Sequence, residues 1–326
     1  MRKINFEKPI DIVTVGFPMV EIMRKERDVT FEEIGDFSGP YPSADTCIML
    51  DVAARLGSKT ALLGVTGSDT FSNVVIDRLK NDGVDVSHVR TIDHKNTIIV
   101  FVRYEKDGTR HYLNRDDSAA AEDFSEEDIC KEILKTAKCI HFSGEIILMC
   151  SDDRRRRALL YMLENIPDDA LVSLDPNFTE WNDDVKDAIA PFLNRADIVF
   201  PSEGEASKMM EMENDESACQ DMAENGKIVA YKRGKEGCRI YREGNVTDIP
   251  AFAVEEVDPT GCGDSFCAGF LTGFLEKGET IQAGVLANAA GALQATKFGP
   301  MEGAMYRSYV EEFIKDQSMK GGRKDG

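Results

Sequence analysis

A short segment near the C-terminus carries the residue types that phosphate chemistry needs. It reads Asp258-Pro-Thr-Gly-Cys-Gly-Asp264, with Gly261 and Gly263 on either side of one small residue. An apolar run at helical spacing follows, which predicts a glycine-rich turn that opens a buried helix. The first amides of a helix lack partners within it and attract an anion such as a phosphate. Asp264 has two alternative roles there: it complements the helix dipole, or it acts as a base beside a bound phosphate.

The charge of the whole chain narrows the classes of partner. The 326 residues carry a net charge of −20 at pH 7. Such a surface repels nucleic acids and anionic membranes, so we expect neither as a partner. The sequence shows no apolar run long enough to cross a membrane and no signal-peptide core. Its eight cysteines lack metal-binding spacing, so we expect a cytoplasmic protein with reduced thiols.

The elements that must position the turn alternate along the chain. Short apolar runs alternate with amphipathic stretches, which is typical of βαβ units and of a mostly parallel sheet sandwiched by helices. The predicted strands are 11–15, 60–64, 139–142, 171–174, 198–200, 228–231 and 239–241. The predicted helices are 47–56, 70–82, 125–137, 154–164, 185–195, 205–212, 216–224, 264–276, 281–296 and 306–315.

One segment interrupts this alternation. Residues 96–103 and 109–113 read as strands joined by a turn that contains Asp107-Gly108, a pattern typical of a β-hairpin. We interpret residues 17–45 and 92–117 as a small β lid; the alternative is an antiparallel edge of the main sheet. We expect a single domain over residues 1–317. The tail, 318–326, lacks apolar anchors and is predicted to be disordered.

The segment 258–264 resembles the Asp-Thr-x-Gly-Ala-Gly-Asp signature of the ribokinase-like (PfkB) carbohydrate kinases, and 265–271 resembles its continuation. Further segments resemble that family in order and spacing from about residue 11 to 315: 54–57, 63–69, 173–177, 234–237 and 287–293 with Gly299. The resemblance implies an α/β, ribokinase-like fold with a small β-sheet lid.

The resemblance also implies a reaction. In that family, ATP gives its γ-phosphate to a hydroxyl of a small sugar or sugar-like substrate. Asp264 would be the base, and the amides of Gly261, Cys262 and Gly263 would form the anion hole. We expect the helix N-terminus to keep Asp264 ionised near pH 7. The alternative is a helix-capping aspartate in a structural turn.

Cofactor sites follow from the same resemblance. The residues implied for ATP lie on the nucleotide side of the family's site, and they are Lys232, Gly234, Gly237, Thr260 and Asn288. Glu205 would hold a Mg²⁺-bound water, with Ser202 where the family has asparagine. A monovalent cation such as K⁺ near Asp258, and a homodimer formed through the lids, are also implied.

The substrate side departs from the family pattern. The candidate contacts are acidic and polar residues from separate segments, namely Glu21, Asp45, Arg115, Asp175 and Asn177. The last two follow a predicted strand, where open α/β sheets bind ligands. Ser43-Ala44 stands in place of a Gly-Gly pair and Ile48 in place of an asparagine, so either the substrate differs or the register is shifted. The alternatives are a nucleoside kinase, favoured by an apolar Ile48, and a non-catalytic nucleotide- or sugar-binding relative.

Overall fold

Two separate β-sheets organise the chain. The computed structural model describes residues 5–321, and its named strands form a nine-stranded and a four-stranded sheet. In chain order the strands are β1 (Ile10–Gly16), β2 (Met19–Arg24), β3 (Phe37–Ser43), β4 (Thr60–Gly67), β5 (Asp85–Ile92), β6 (Ile98–Tyr104), β7 (Arg110–Arg115), β8 (Ala137–Ser143), β9 (Leu171–Asp175), β10 (Ile198–Val199), β11 (Ile228–Lys232), β12 (Cys238–Arg242) and β13 (Asn245–Ile249).

The large sheet has the order β13-β12-β11-β10-β9-β8-β1-β4-β5. Strands β11 to β5 in this order pair in parallel, whereas β12 and β13 add an antiparallel edge. The central strands β4, β8 and β9 are buried almost throughout because both faces of the sheet are covered. The α/β class with a mostly parallel sheet is therefore confirmed.

The small sheet has the order β3-β2-β6-β7. The pairs β2–β3 and β6–β7 are antiparallel, and β2–β6 is parallel. The predicted hairpin is present, since Tyr104 pairs with Arg110 at its closed end. The alternative of an antiparallel edge on the main sheet is wrong, because these four strands form a sheet of their own within the ranges 17–45 and 92–117.

Helices flank the large sheet. They are α1 (Asp45–Arg55), α2 (Thr70–Asn81), α3 (Lys131–Thr136), α4 (Gly144–Met149), α5 (Asp153–Glu164), α6 (Asp183–Arg195), α7 (Glu205–Met210), α8 (Asp215–Glu224), α9 (Cys262–Lys277), α10 (Thr280–Ala295) and α11 (Arg307–Gly321). No helix among the described residues is long and apolar enough to cross a membrane. The tail predicted to be disordered begins inside α11, and residues 322–326 lie outside the described part of the chain.

The helix predicted over 125–137 is present only as the shorter α3, Lys131–Thr136. Ser125 and Asp128 form a capping box around one turn of 3-10 helix, and Asp128 is also held by Arg90. The α-helix begins only at Lys131, and Ala137 already starts β8. Sheet pairing decides this boundary, because β8 must reach its neighbours on both sides. The strands β5 and β13 and the helix α4 were not predicted.

Helix α9 is held tightly where the glycine-rich turn begins. Its apolar side packs on β10 through Phe200 and Phe270, whose ring centroids lie 5.4 Å apart. It also packs against α1 and α10. A Cβ at Gly269 would approach Ala287 Cα to 2.8 Å, so glycine permits the close approach of α9 and α10. The glycine-rich turn therefore leads into a rigidly packed helix.

Candidate active site

The turn before α9 has the conformation that the sequence predicts. Gly261 precedes the helix with a φ of 77°, and α9 has no side-chain cap on its first turn. A Cβ on Gly261 would lie 2.3 Å from the carbonyl oxygen of Pro300, so only glycine fits here. The first amides of α9 are left without a side-chain acceptor, at an end of the helix that favours negative charge.

Asp258 fixes the turn by accepting hydrogen bonds at both of its carboxylate oxygens. Its Oδ1 accepts hydrogen bonds from Thr260 N (3.0 Å), Thr260 Oγ1 (2.8 Å) and the Tyr104 hydroxyl (2.7 Å), and its Oδ2 accepts one from Gly299 N (2.9 Å). Thr260, a predicted nucleotide contact, is buried, and its hydroxyl donates to Asp258. Tyr104 ends β6, so the small sheet is tied directly to the turn, a link that the sequence analysis missed.

Asp264 lies in the first turn of α9 among other acidic groups. Burial, followed by the charges of Asp45 and Asp175, raises the pKa of Asp264 well above its ordinary value, whereas Lys232 and Arg110 act in the opposite direction. The expectation that the helix N-terminus favours the ionised form of Asp264 omitted these opposing effects on its pKa. It considered the helix alone and not the carboxyl groups that the fold brings next to it.

Lys232 and Asp175 form a buried ion pair beside the turn. Lys232 Nζ donates to Asp175 Oδ2 at 2.6 Å, and the Cys267 thiol donates to the same oxygen at 3.2 Å. A Cβ on Gly263 would lie 3.5 Å from Lys232 Nζ, so the ammonium group faces the start of α9. Burial opposes the charge of Lys232, but the surrounding acids outweigh burial and raise its pKa. The structure thus brings together Lys232, Asp175 and the glycine turn.

Asp45 is the first residue of α1 and is fully enclosed. It accepts hydrogen bonds from Thr46 N (2.6 Å), from the Ser143 hydroxyl and from Asn177 Nδ2 (3.4 Å). Burial raises its pKa, and the charge of Asp175 adds to this. Two predicted substrate contacts, Asp45 and Asn177, therefore meet directly, at the carboxyl ends of β8 and β9.

Glu21 reaches the same region from the small sheet. Its Oε1 accepts a hydrogen bond from Ser43 Oγ at 2.7 Å, whereas its Oε2 is buried without a hydrogen-bond partner. The side chain is only 7% exposed. Burial raises the pKa of Glu21 to about 7; Asp258 adds to the rise and Arg110 opposes it.

Glu145 is an acidic site residue that the sequence analysis missed. It stands in the first turn of α4, and its amide donates to Ser143 Oγ, which itself donates to Asp45. Burial, then the charges of Asp45, Asp264 and Glu21, raise the pKa of Glu145 well above its ordinary value. We call Glu21, Asp45, Glu145 and Asp264 the carboxyl cluster. The available signal was position, since Glu145 follows the end of a central parallel strand by two residues.

The arginine of the small sheet whose charge reaches the site is Arg110, not the predicted Arg115. The charge of Arg110 acts on Glu21, Asp258 and Asp264. Arg115 lies five residues further along β7, so strand alternation places it on the opposite face. There it pairs with the exposed Asp117 at 3.1 Å. The structure does not bring Arg115 to the other predicted contacts.

Glu205, the predicted metal residue, begins α7 near Lys232. Its carboxylate accepts hydrogen bonds from Ser202 N (2.6 Å) and Phe178 N (3.3 Å), so both oxygens bind backbone amides. Burial raises its pKa, which Lys232 opposes. Within residues 5–321, no group of three or more His, Cys, Asp or Glu side chains is arranged to hold a metal ion.

The remaining nucleotide-side residues lie at the antiparallel edge of the large sheet. Gly234 opens a short 3-10 turn, and Gly237 has a φ of 94° with no room for a Cβ beside Ile249 O. Asn288 donates from Nδ2 to Ile249 O and Pro250 O, each at 3.0 Å. Gly237 and Asn288 therefore support the same backbone segment after β13, and their contact with a nucleotide stays a prediction.

The backbone around Ser43 to Ile48 explains two of the departures. Ala44 has a φ of 100°, a conformation that favours glycine, which supports the register that places Ser43-Ala44 where the family has Gly-Gly. Ile48 is buried, and its Cγ2 lies 3.2 Å from the position of a Cβ on Gly261. Ile48 therefore packs against the glycine turn.

Comparison with known proteins identifies the family of this chain. The sequence model described as "pfkB family carbohydrate kinase" matches residues 48–305. The fold and the family match define a ribokinase-like carbohydrate kinase, and the chain belongs to the pfkB family.

Relatives from a plant and from bacteria match nearly the whole chain. The chain is 27% identical to the "Probable fructokinase-5" of Arabidopsis thaliana, over 94% of this chain and 98% of that protein. It is 25% identical to a 5-dehydro-2-deoxygluconokinase of Clostridium tetani, over 98% of this chain and 97% of that one. A crystal structure of a "putative Ribokinase II" from E. coli with ATP and Mg²⁺ has a TM-score of 0.88 and 31% identity, and the match covers 94% of this chain and 99% of that chain.

Proposed function

We propose that this carbohydrate kinase transfers the γ-phosphate of ATP to a hydroxyl of a small sugar, with Asp264 as base and the amides of Gly261 to Gly263 as anion hole. One observation carries the proposal: a helix start without a side-chain cap and a half-buried carboxyl group lie within the same turn of α9. A phosphoryl group held by the amides lies within reach of the group that accepts the proton.

Asp264 suits the role of base because its neighbours oppose its charge. Burial and the charges of Asp45 and Asp175 make it a better proton acceptor than an exposed aspartate. The acceptor hydroxyl gives its proton to Asp264 as its oxygen bonds to the γ-phosphorus, and the bond from that phosphorus to the bridging oxygen breaks to release ADP. The amides at the helix start stabilise the charge on the transferring group without adding a titratable side chain.

The residues on the nucleotide side fit a phosphate chain. Lys232 is buried, stays protonated and faces Gly263, which places a cation beside the amides. Bound Mg²⁺ would neutralise phosphate charge and take most of its ligands from phosphates and water, with Glu205 and Asp175 as the nearby carboxylates. The crystal structure of the E. coli relative contains ATP together with Mg²⁺, which supports these two as the cofactors of this chain. Asp258 has hydrogen-bond donors at both oxygens, so a K⁺ site would use backbone carbonyls around it.

We interpret the small sheet as a lid over the acceptor site within a kinase domain of residues 1–317. Glu21 and Arg110 reach the carboxyl cluster from it, and Tyr104 ties it to the turn. A closed lid excludes water and limits hydrolysis of ATP. Tyr112 and Leu113 on β7 are large and half-exposed, which supports a homodimer formed through this sheet. The eight cysteines are free thiols, which supports a reducing, cytoplasmic environment.

Two observations bear on the nucleoside-kinase alternative. Ile48, the apolar residue that favoured it, is buried and packs against Gly261 at the turn itself. The charged groups of Asp45, Asp175, Lys232 and Arg110 act on Asp264, and polar surroundings of this kind suit the hydroxyls of a sugar.

The test is ADP release over a panel of sugars, sugar acids and nucleosides, with Asp264→Asn beside the wild type. We expect sugar-dependent turnover that falls by about 10² to 10⁴ in kcat in the variant. The control is Asp152→Asn, because Asp152 caps α5 at its N-terminus and has no part in the site. An unchanged rate in folded Asp264→Asn contradicts the role of base and favours a capping residue. ATP binding without turnover of any acceptor favours the non-catalytic relative.

A further inference from the structure

We propose that Gln294 is a positioning residue for the anion hole, and that its side-chain amide takes the place of a bound monovalent cation at this turn. The inference rests on the proposed function, because it concerns how the glycine turn of the same site is held. It departs from the K⁺ site that the resemblance implies near Asp258, and it predicts a kinase whose activity does not depend on a monovalent cation.

Gln294 joins the glycine turn to the loop that follows α10. Its side chain is fully buried, near the C-terminal end of α10. Its Nε2 donates hydrogen bonds to Thr260 O (2.9 Å) and Gly299 O (2.8 Å), and its Oε1 accepts one from Gly303 N (3.0 Å). The opposite orientation of the amide would place its oxygen against two carbonyl oxygens, so these partners fix the orientation.

The loop after α10 is the surface on which the turn rests. Gly299 N donates to Asp258 Oδ2 at 2.9 Å, and the carbonyl oxygen of Pro300 leaves no room for a Cβ on Gly261. Gly261 directly precedes α9, so a shift of this loop relative to α10 moves the amides that would hold the phosphoryl group. Gln294 opposes that shift, because it is bonded to the loop at two points and to the turn at one.

The oxygens around Asp258 do not fit a monovalent cation. Carbonyl oxygens that converge on one point can replace the hydration shell of K⁺. Thr260 O and Gly299 O do converge, but on Gln294 Nε2, so an amide group stands between them. Ala295 O accepts two backbone amides, and both carboxylate oxygens of Asp258 have donors as well. An ion at this place would meet N–H groups, whose positive ends its charge repels.

An amide and an ion hold carbonyl groups in different ways. An ion binds reversibly, so the fraction of the protein that carries it depends on the salt. The amide of Gln294 is covalently attached to a helix that packs on α9, so it holds the turn at any salt concentration. A site whose donors are fixed before the substrate binds needs no rearrangement during the reaction. We therefore expect the anion hole to be formed without added K⁺.

The first measurement compares the wild type in KCl, NaCl and tetramethylammonium chloride at equal ionic strength. The melting temperature is measured without substrates, and kcat is measured as ADP release with Mg²⁺, ATP and the best acceptor of the panel. We expect kcat to agree within about twofold among the three salts and the melting temperature to show no rise specific to KCl. A rise specific to KCl in either quantity overturns the inference.

Two variants of Gln294 separate the amide from the space that it fills. Gln294→Met keeps most of the volume and loses every hydrogen bond of the amide, so we expect kcat to fall by about 10- to 100-fold in all three salts, with KM for the sugar nearly unchanged. Gln294→Ala also opens space between Thr260 O and Gly299 O, where K⁺ can bind. Its kcat should fall similarly in NaCl and recover in KCl, together with a higher melting temperature.

Gln220→Ala is the matched control, because the amide of Gln220 donates to Glu224 within α8 at the surface. It should keep the wild-type kcat and show no effect of KCl. A wild-type kcat in Gln294→Met, or a melting temperature of Gln294→Ala that does not change with KCl, overturns the inference. If Gln294→Ala does not fold, kcat and KM of Gln294→Met decide. If the wild type turns over no acceptor, the proposed function fails, and the melting temperatures still decide on Gln294.

Discussion

The two ends of the site are built on different principles. The turn end, residues 258–264 with Lys232, offers backbone amides of one contiguous segment and a single buried cation from β11. The acceptor end offers side chains from β2, α1, α4 and β7, which are far apart in sequence. A backbone site tolerates little change of residue, because its geometry depends on φ and ψ, whereas a side-chain site can be altered one group at a time. The chemistry is therefore expected to be invariant while the substrate class is adjustable.

The two ends also differ in the charge that they favour. At the turn end, amides and the ammonium group of Lys232 favour an anion. At the acceptor end, burial raises the pKa values of Glu21, Asp45 and Glu145. In the proposed reaction the phosphates would bind at the turn end and the sugar at the acceptor end, so the two substrates would meet different electrostatic surroundings.

Lys232→Met should have the largest effect, because Lys232 joins the two ends. It leaves the carboxylate of Asp175 buried without its partner, so we expect the free energy of unfolding to fall by about 3 to 5 kcal/mol. Urea unfolding at pH 7 measures it. Lys186→Met is the matched control, since its pair with Glu211 lies on the surface and should contribute about 1 kcal/mol or less. A similar small loss in both variants would show that the pair is not needed to join the two ends.

Gly261→Ala tests whether the turn end depends on the backbone alone. The new Cβ would meet the carbonyl oxygen of Pro300, so the amides must move and kcat should fall by about 100-fold. Gly226→Ala is the control, because Gly226 has a φ of 88° but open space around it. It should lose some stability and keep its kcat. Equal kcat values in the two variants would contradict the anion hole.

Glu21→Gln examines the acceptor end through pH. Burial raises the pKa of Glu21 from 4.5 to about 7, so the folded protein keeps a proton there that the unfolded chain releases. The stability that this proton contributes is complete below about pH 4.5 and is lost as the pH rises to about 7. The variant lacks that loss, so relative to the wild type it should gain about 2 to 3 kcal/mol between pH 4.5 and pH 8.

Unfolding by urea at several pH values measures this difference, with the exposed Glu132→Gln as control. If the difference in unfolding free energy between Glu21→Gln and the wild type stays constant with pH, the pKa of Glu21 is not raised. The two ends would then differ less than we infer.

Tyr104→Phe should have the smallest effect of the four. It removes one of the donors to Asp258, and the others remain, so we expect a loss of about 1.5 kcal/mol in unfolding free energy. Tyr306→Phe, which loses an exposed hydrogen bond to Asp82, is the control. If the hydroxyl ties the lid to the turn, KM for the sugar should rise in Tyr104→Phe and not in the control. An unchanged KM would show that the two ends move independently.

Much of the fold could be predicted from the sequence because its signals are local. Apolar runs of strand length marked most of the large sheet, and the Asp107-Gly108 turn marked the hairpin between β6 and β7. Helix boundaries failed where a tertiary contact competes with local preference, as at Ala137, which pairs in β8 although helix spacing continues through it. Strands β5 and β13 were missed because their exposed, polar positions hide the alternation.

The sequence by itself determined the turn end. Two glycines, the aspartate after them and the apolar helix that follows stand in one short segment, and their chemistry depends on backbone conformation that those residues carry with them. The acceptor end was decided by the tertiary structure. Strand order in the large sheet brings Asp45, Asn177 and Glu145 to one edge, and strand alternation in β7 turns Arg110 toward Glu21 and Asp258 and Arg115 away. Burial then shifts their pKa values, and burial depends on the whole packed chain.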